Sequence, residues 1–339
     1  MQQDGNTKVS ALFETAVAAA VRAPSVHNTQ PWRWRLDGET IRLFADRDRQ
    51  LPATDPSQRA LLLSCGAALH HLRMALAEAG LTASVTYFPD LADPDHLADI
   101  TATTAAPSPE DLDMAAAIPD RRSDRRRFGP RPVPARQLRA VARAALPYSA
   151  AARLVPPNLR DLLAEVGHLA ADRHRADPGY QRELSAWSGR HGTADGVPAA
   201  NTPPVRGGDL AMRFFAEPEL ADRPLPDDTA EWFALCTPAD DRLARVKAGE
   251  AASAVLLTAT GLGLATCLQT EPLELPELRD EVRSEVLFDC AFAHALVRVG
   301  SVPAEAEPLP ATPRRAPAEV IESDTAIGHV REAASSVRI

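Results

Sequence analysis

The chain has 339 residues, 45% of them hydrophobic and 24% charged, with 30 prolines and a net charge of −9. This length allows two ordinary domains or one large body built from two similar halves. The acidic balance argues against a broad nucleic-acid surface, and the chain has neither a run of eighteen apolar residues nor a basic-apolar leader. A cytoplasmic protein with no nucleic-acid or membrane partner is therefore expected.

Residues 11–22 are Ala-rich and predict a helix that stops before Pro24. The stretch "APSVHNTQPWRWRL" follows and concentrates His27, Asn28, Gln30, Trp32 and Trp34. "WRWRL", Asp37-Gly38 and "TIRLFAD" alternate about a turn and predict a β-hairpin. Residues 57–80 predict a long apolar helix ended by Gly80, with "TASVTYF" and "LADITATT" as strands after it. Ser108 is placed to cap a helix that has Pro109 at its first position, and Pro134 opens another that runs to Pro147. Cys65, Cys236, Cys267 and Cys290 form no C-x-x-C pair and are expected as small core residues.

The chain repeats itself weakly. Pro24-Ser25 matches Pro147 and Ser149, and the pairs Gly66/Gly80 and Gly249/Gly263 each bracket an Ala/Leu-rich helix of the same length. Between these landmarks the second copy is much longer, so it carries an insertion. Its irregular part, residues 187–210, predicts a lid.

"PDRRSDRRRFGP", residues 119–130, gathers five arginines around Ser123 in an otherwise acidic chain. Such a run is either a solvated face or an anion site; guanidinium forks beside a hydroxyl suit a phosphate.

These residues carry a resemblance. "RRSDRRRF" resembles the Arg-Arg-Ser-x-Arg-x-Phe motif of the nitroreductase family of FMN-dependent oxidoreductases, and "APSVHNTQPW" resembles its Ala-Pro-Ser-x-x-Asn-x-Gln-Pro-Trp motif. The order of the motifs is reversed relative to ordinary members, and the likeness is nearest to the Acg-type subgroup, in which two such units are fused. The resemblance implies an α+β fold of two units, each a mainly antiparallel sheet covered by helices, forming an intramolecular pseudo-dimer. Units at 1–117 and 118–339 are expected, the first supplying the Pro-Ser motif and the second the Arg motif. One FMN site per chain follows. The implied cofactor residues are Arg121, Arg122, Ser123 and Arg125 with Pro24, Ser25 and Asn28, then Gly261, Leu262 and Gly263, and Arg314 or Arg315 near the C-terminus. Gln30 and Trp32 are assigned to fixing and packing the turn, and His27 is left without a role.

Other motifs point elsewhere and fail. Gly261-Leu262-Gly263 ends a helix instead of opening one, with Thr266 at the third glycine position of a dinucleotide fingerprint. His70-His71 lacks acidic partners at ligand spacing, and His168 and His174 do not share a helix face, so no zinc is expected. No G-x-S-x-G elbow is present. Three readings stay open. The first is an oxidoreductase passing electrons from NAD(P)H through flavin to a small nitroaromatic or quinone-like acceptor, with no side chain required as acid or base. The second is an FMN-sequestering protein whose lid shuts out nicotinamide, and the third a flavoprotein relic with an empty site. A monomeric pseudo-dimer and a homodimer both fit.

Overall fold

The computed structural model describes residues 2–204, 213–221, 229–302 and 306–322. In the first half, α1 (Gln2–Ala20) is followed by a short 3-10 turn at Val26–Asn28, β1 (Trp32–Asp37), β2 (Thr40–Ala45), α2 (Arg59–Glu78), β3 (Leu81–Tyr87) and β4 (His96–Thr104). Asp37 pairs with Thr40 across a turn in which Gly38 has φ 59°, a left-handed value that glycine adopts freely. Trp32, Trp34, Ile41 and Leu43 alternate inward along the two strands and are fully buried, so both tryptophans pack as expected. α2 starts where the Asp55 carboxylate accepts from the Leu61 amide at 2.8 Å. It ends two residues before Gly80, whose φ is 77°.

The second half contains α3 (Pro109–Ala117), α4 (Ala135–Arg143), β5 (Ala151–Leu154), α5 (Arg160–Ala176), α6 (Pro178–Trp187), β6 (Ser188–Arg190) and β7 (Val197–Pro198). β8 (Glu231–Thr237), α7 (Arg242–Gly261), β9 (Leu264–Gln269), α8 (Glu271–Glu274), α9 (Pro276–Glu281), β10 (Phe292–Ser301) and α10 (Pro317–Val320) complete it. Ser108 Oγ accepts from the Asp111 amide at 3.1 Å, the cap expected for α3.

The two main sheets are antiparallel, with orders β1-β2-β4-β3 and β5-β8-β10-β9. Replacing β1, β2, β4 and β3 by β5, β8, β10 and β9 converts one order into the other, and α7 stands between β8 and β9 as α2 stands between β2 and β3. The fold is thus α+β with two copies of one unit, a fused pseudo-dimer. Where β1 and β2 are joined by a tight turn, β5 and β8 are separated by the insertion that carries α5, α6, β6 and β7. Its helices were not anticipated from the sequence. The stretch expected as an irregular lid holds the β6–β7 pair and a 3-10 turn at Ala199–Asn201; residues 205–210 of it lie outside the described residues.

α2 and α7 pack along each other at the centre. A methyl group on Gly66 would lie 1.9 Å from the Val246 carbonyl oxygen, and one on Gly249 would lie 2.0 Å from that of Leu63. His70 and His71 are fully buried at this interface, their Nδ1 atoms 2.8 and 2.9 Å from Ser253 Oγ, which makes them core histidines. Past β10 the chain crosses back to the first sheet. Ile321 bridges to Trp34, the Glu322 amide donates to the Trp34 carbonyl at 2.8 Å, and the Glu322 carboxylate pairs with Arg33 and Arg35.

Cys65, Cys236 and Cys267 are buried and free, as expected. Cys290 is exposed, because it lies in the turn after Phe288 and Asp289, two residues with positive φ that bring the chain to the surface before β10.

Candidate cofactor site

The Pro-Ser motif folds into a strained turn. His27, Asn28 and Gln30 have φ of 45°, 54° and 51°, left-handed values that cost roughly 1–3 kcal/mol each for residues with a side chain. Several hydrogen bonds offset that cost. Ser25 Oγ accepts from the Gln30 amide at 2.9 Å, and the Val26 amide donates to Ser64 Oγ at 3.1 Å. Asn28 Nδ2 donates to the carbonyls of Gly196 (3.0 Å) and Pro313 (3.1 Å). Gln30 Nε2 donates to the Ala194 carbonyl at 2.8 Å, while its Oε1 accepts from the Arg315 amide at 2.9 Å. The turn is therefore held from three sides, by α2, by the insertion and by the C-terminal arm.

Two cavities run along this turn and a third lies beyond them, the second sharing walls with each of the others. The first, about 790 Å³ including its open mouth, is lined by Pro24, Ser25 and His27, by Ser123 and Arg125, by Cys267 to Glu271, and by Arg213 and Phe215 of the insertion. The second, about 360 Å³, lies among Ser25, Asn28, Arg121, Ser123, Arg125, Asn201 and Arg314. The third, about 670 Å³, is walled by Arg22, Arg121, Arg122 and Arg314 with Thr312.

No carboxylate lines the third cavity. Burial, and then the charges of Arg122, Arg22 and Arg125, push the Arg121 pKa down to about 10; burial and then Arg121, Arg22 and Arg122 push that of Arg314 down to about 9. Nε and Nη1 of Arg121 and the Nε atoms of Arg122 and Arg314 are buried without hydrogen-bond partners. Unpaired donors and mutual repulsion in one cavity describe a site for a multivalent anion such as a phosphate. Arg126 of the same run differs, because its guanidinium is paired with Asp124 at 2.8 Å.

In the first cavity His27 is buried with neither ring nitrogen hydrogen-bonded. Burial, then the charges of Arg213 and Arg125, hold its pKa well below the usual imidazole value, so the ring is neutral. Its ring meets Phe215 edge-on, with centroids 6.0 Å apart, and the Arg125 guanidinium lies 4.9 Å from the centre of the same phenyl ring. Arg125 Nη1 also donates to the Asn201 carbonyl at 3.3 Å. The insertion thus touches the site through Ala194, Gly196, Asn201 and Phe215.

Of the residues singled out in the sequence, Pro24, Ser25, Asn28, Arg121, Arg122, Ser123, Arg125 and Arg314 surround these cavities. Gly261, Leu262 and Gly263 do not: they are exposed at the end of α7, where Gly263 has φ 73° and terminates the helix, and it is Cys267 to Glu271 that reach the cleft. Arg315 contributes its amide to Gln30 and turns its side chain to the Glu319 carbonyl. Sequence reasoning missed Arg22, Thr312, Asn201, Arg213 and Phe215. Arg22 stands two residues before Pro24 and was within reach of the motif; the others carry no local signal. Among the described residues no cluster of His, Cys, Asp or Glu could hold a metal ion.

No family model matches the chain. It is 48% identical over 312 residues, 91% of its own length and 90% of the relative's, to the Mycobacterium tuberculosis protein Rv3131, whose name proposes an NAD(P)H nitroreductase. It is 39% identical, over 90% of its length and 93% of the relative's, to the acg protein of the same organism, named in the same way. Among solved structures it resembles a nitroreductase with bound FMN from Desulfitobacterium hafniense (17% identity, 62% of this chain and 98% of that one, TM-score 0.42). It also resembles the FMN-dependent nitroreductase NfnB from Mycobacterium smegmatis in complex with NADPH (19% identity, 62% and 98%, TM-score 0.40). On the strength of the two full-length relatives, the chain belongs to the nitroreductase family, in the group of the acg protein.

Proposed function

We propose that the chain binds one FMN along the three cavities and acts as an NAD(P)H-dependent oxidoreductase of nitroreductase type. The observation that carries this reading is the cluster of Arg22, Arg121, Arg122 and Arg314 in a cavity lined by no carboxylate, in which Nε and Nη1 of Arg121 and Nε of Arg122 and Arg314 are buried without partners. A flavin phosphate suits that cluster. Ser123, Asn28 and Asn201 offer polar groups in the middle cavity for a ribityl chain, and the first cavity offers a ring both apolar contacts, from Pro24, Phe215 and Leu268, and polar ones, from Gln269 and Glu271. When bound, FMN supplies hydride acceptance from NAD(P)H and two-electron transfer to a nitro or quinone acceptor. The chain's own part is to orient it, to exclude water with the insertion, and to place the Arg125 charge where it favours an anionic reduced ring.

One site per chain is part of the reading, with units divided at 1–117 and 118–339. At the turn equivalent to the Pro-Ser motif, Ser149 also has a left-handed φ of 54°, but Tyr148 is buried there against His70, with ring centroids 5.0 Å apart. The nearby Arg73 is neutralised by the Glu250 carboxylate at 2.6 Å. Arg73, the cation that packs on Tyr148 there, is thus already paired.

A second reading, FMN held under a closed lid with little turnover, is favoured by the contacts of Phe215 and Asn201 at the cleft. Anaerobic titration of the FMN-loaded protein with NADH, NADPH and dithionite separates the two. Bleaching by a nicotinamide supports the oxidoreductase; bleaching by dithionite alone supports the sequestering protein. A chain that takes up no FMN refutes both.

A further inference from the structure

We propose that Glu271, His174, Glu274 and Asp55 relay a proton from solvent to the acceptor reduced in the first cavity, an inference that rests on the flavin-dependent reading above. Glu271 lines that cavity, and its Oε1 lies 3.2 Å from His174 Nδ1. On the other side of the ring, His174 Nε2 lies 4.0 Å from Glu274 Oε2. The imidazole is fixed between the two carboxylates by stacking on Tyr180, with centroids 3.9 Å apart and planes 4° apart, and the Tyr180 hydroxyl donates to Glu271 at 3.5 Å.

Glu274 Oε1 accepts from Arg213 Nη2 at 2.6 Å and from Thr270 Oγ1 at 2.9 Å, whereas its Oε2 is buried with no hydrogen-bond partner. That carboxyl faces a separate cavity of about 310 Å³ shared with Thr54, Asp55 and Ser57. Thr54 Oγ1 is likewise buried and unpartnered, and Ser57 is exposed at the rim. Thr54, Asp55 and Glu274 give a bridging water polar partners within this otherwise mixed wall. Asp55 completes the series: burial outweighs its amide hydrogen bonds and raises its pKa to about 6, within the range where a carboxyl both holds and releases protons near neutrality.

The chemistry calls for such a path. A quinone reduced to a hydroquinone takes a hydride from the reduced flavin, which is oxidised, and needs one further proton on oxygen. In the proposed step the O–H bond of Glu271 breaks as the acceptor's O–H bond forms. His174 then returns a proton to Glu271, Glu274 to His174, and Asp55 to Glu274 through the cavity they share.

The test uses the full, FMN-loaded chain with two acceptors: benzoquinone, which needs the proton, and ferricyanide, which takes electrons alone. Glu271→Gln is expected to slow benzoquinone reduction by about 100-fold, the usual scale for a lost general acid, and to slow ferricyanide reduction far less. Asp55→Asn keeps an oxygen to accept from Leu61 and so preserves the helix cap. It is expected to slow benzoquinone reduction and to enlarge its solvent deuterium isotope effect, again with far less effect on ferricyanide. Independently of turnover, the infrared spectrum of the flavin-free protein should carry a protonated-carboxyl band that titrates near pH 6 and that Asp55→Asn removes. Equal slowing with both acceptors, or unchanged benzoquinone rates in both variants, or no such band, would overturn the relay while leaving flavin reduction intact. A chain that NAD(P)H and dithionite both fail to bleach would overturn the functional reading and the relay together.

Discussion

Gly66 and Gly249 face each other where α2 crosses α7, and each stands where the other's side would need room: a Cβ on Gly66 would sit 3.0 Å from the Gly249 Cα. The contact is reciprocal, since each glycine abuts the carbonyl three residues before the other. This is the relation an isologous interface has across a two-fold axis, here within one chain.

Gly66→Ala and Gly249→Ala should therefore destabilise by similar amounts, about 1–3 kcal/mol or more, because backbone must move to admit the methyl group. The double variant should cost less than the sum, since the first separation of the helices already makes room for the second. Urea unfolding of the four proteins checks this. Strongly unequal single costs would argue against a symmetric crossing.

Arg121 separates binding from stability. Arg121→Met should weaken FMN binding by about 1.5–3 kcal/mol, roughly 10- to 100-fold, the scale of a charged hydrogen bond. The flavin-free protein should be as stable as the parent or more so, because one of four mutually repelling guanidinium groups is gone. Fluorescence titration and thermal melts without flavin measure the two effects. Unchanged affinity would mean that the third cavity does not hold the phosphate.

Phe215 tests the cover. Phe215→Ala removes the edge contact to His27 and the partner of Arg125 at the cleft. Iodide should then quench bound flavin more strongly, and NAD(P)H should bleach it faster. If both stay constant, the insertion does not control access.

Acid should destabilise the protein through its buried imidazoles. His27, His70, His71 and His294 have pKa values depressed chiefly by burial, to about 3 for His70 and His294. Their stabilising contribution is complete above the unfolded value of about 6.5 and is lost as pH falls from there toward 3, by up to about 1.4 kcal/mol per pH unit for each ring. Asp55, raised to about 6, and Glu274, also raised by burial, work in the opposite sense, each gaining stability as pH falls from its folded toward its unfolded value, but two carboxyls are outweighed by four rings. Urea midpoints of the flavin-free protein should drop between pH 7 and 4.5, and His70→Gln should flatten that drop. A constant midpoint would contradict the neutral assignment.

Much of this was legible in the residues. Equal glycine spacing announced the repeat, and the structure turns it into α2 and α7 meeting at Gly66 and Gly249. The Pro-Ser turn and the Arg run were visible because each is a contiguous motif. What stayed hidden came from distance in the chain: Arg213 and Phe215 reach the cleft from an insertion without local periodicity, and Asn201 joins Arg125 only through a backbone carbonyl. The glycines at 261 and 263 show the converse hazard. A motif drew attention to them, yet helix termination accounts for their place, and the cleft is lined by the strand that follows.

The central claim is a single flavin site per chain, built from both halves. Titrating the flavin-free protein with FMN, with the chain concentration fixed well above the dissociation constant, tests it most directly. Saturation at one FMN per chain is expected, with a less sharp approach to it in Arg121→Met. Saturation at two per chain, or no uptake at all, would contradict it.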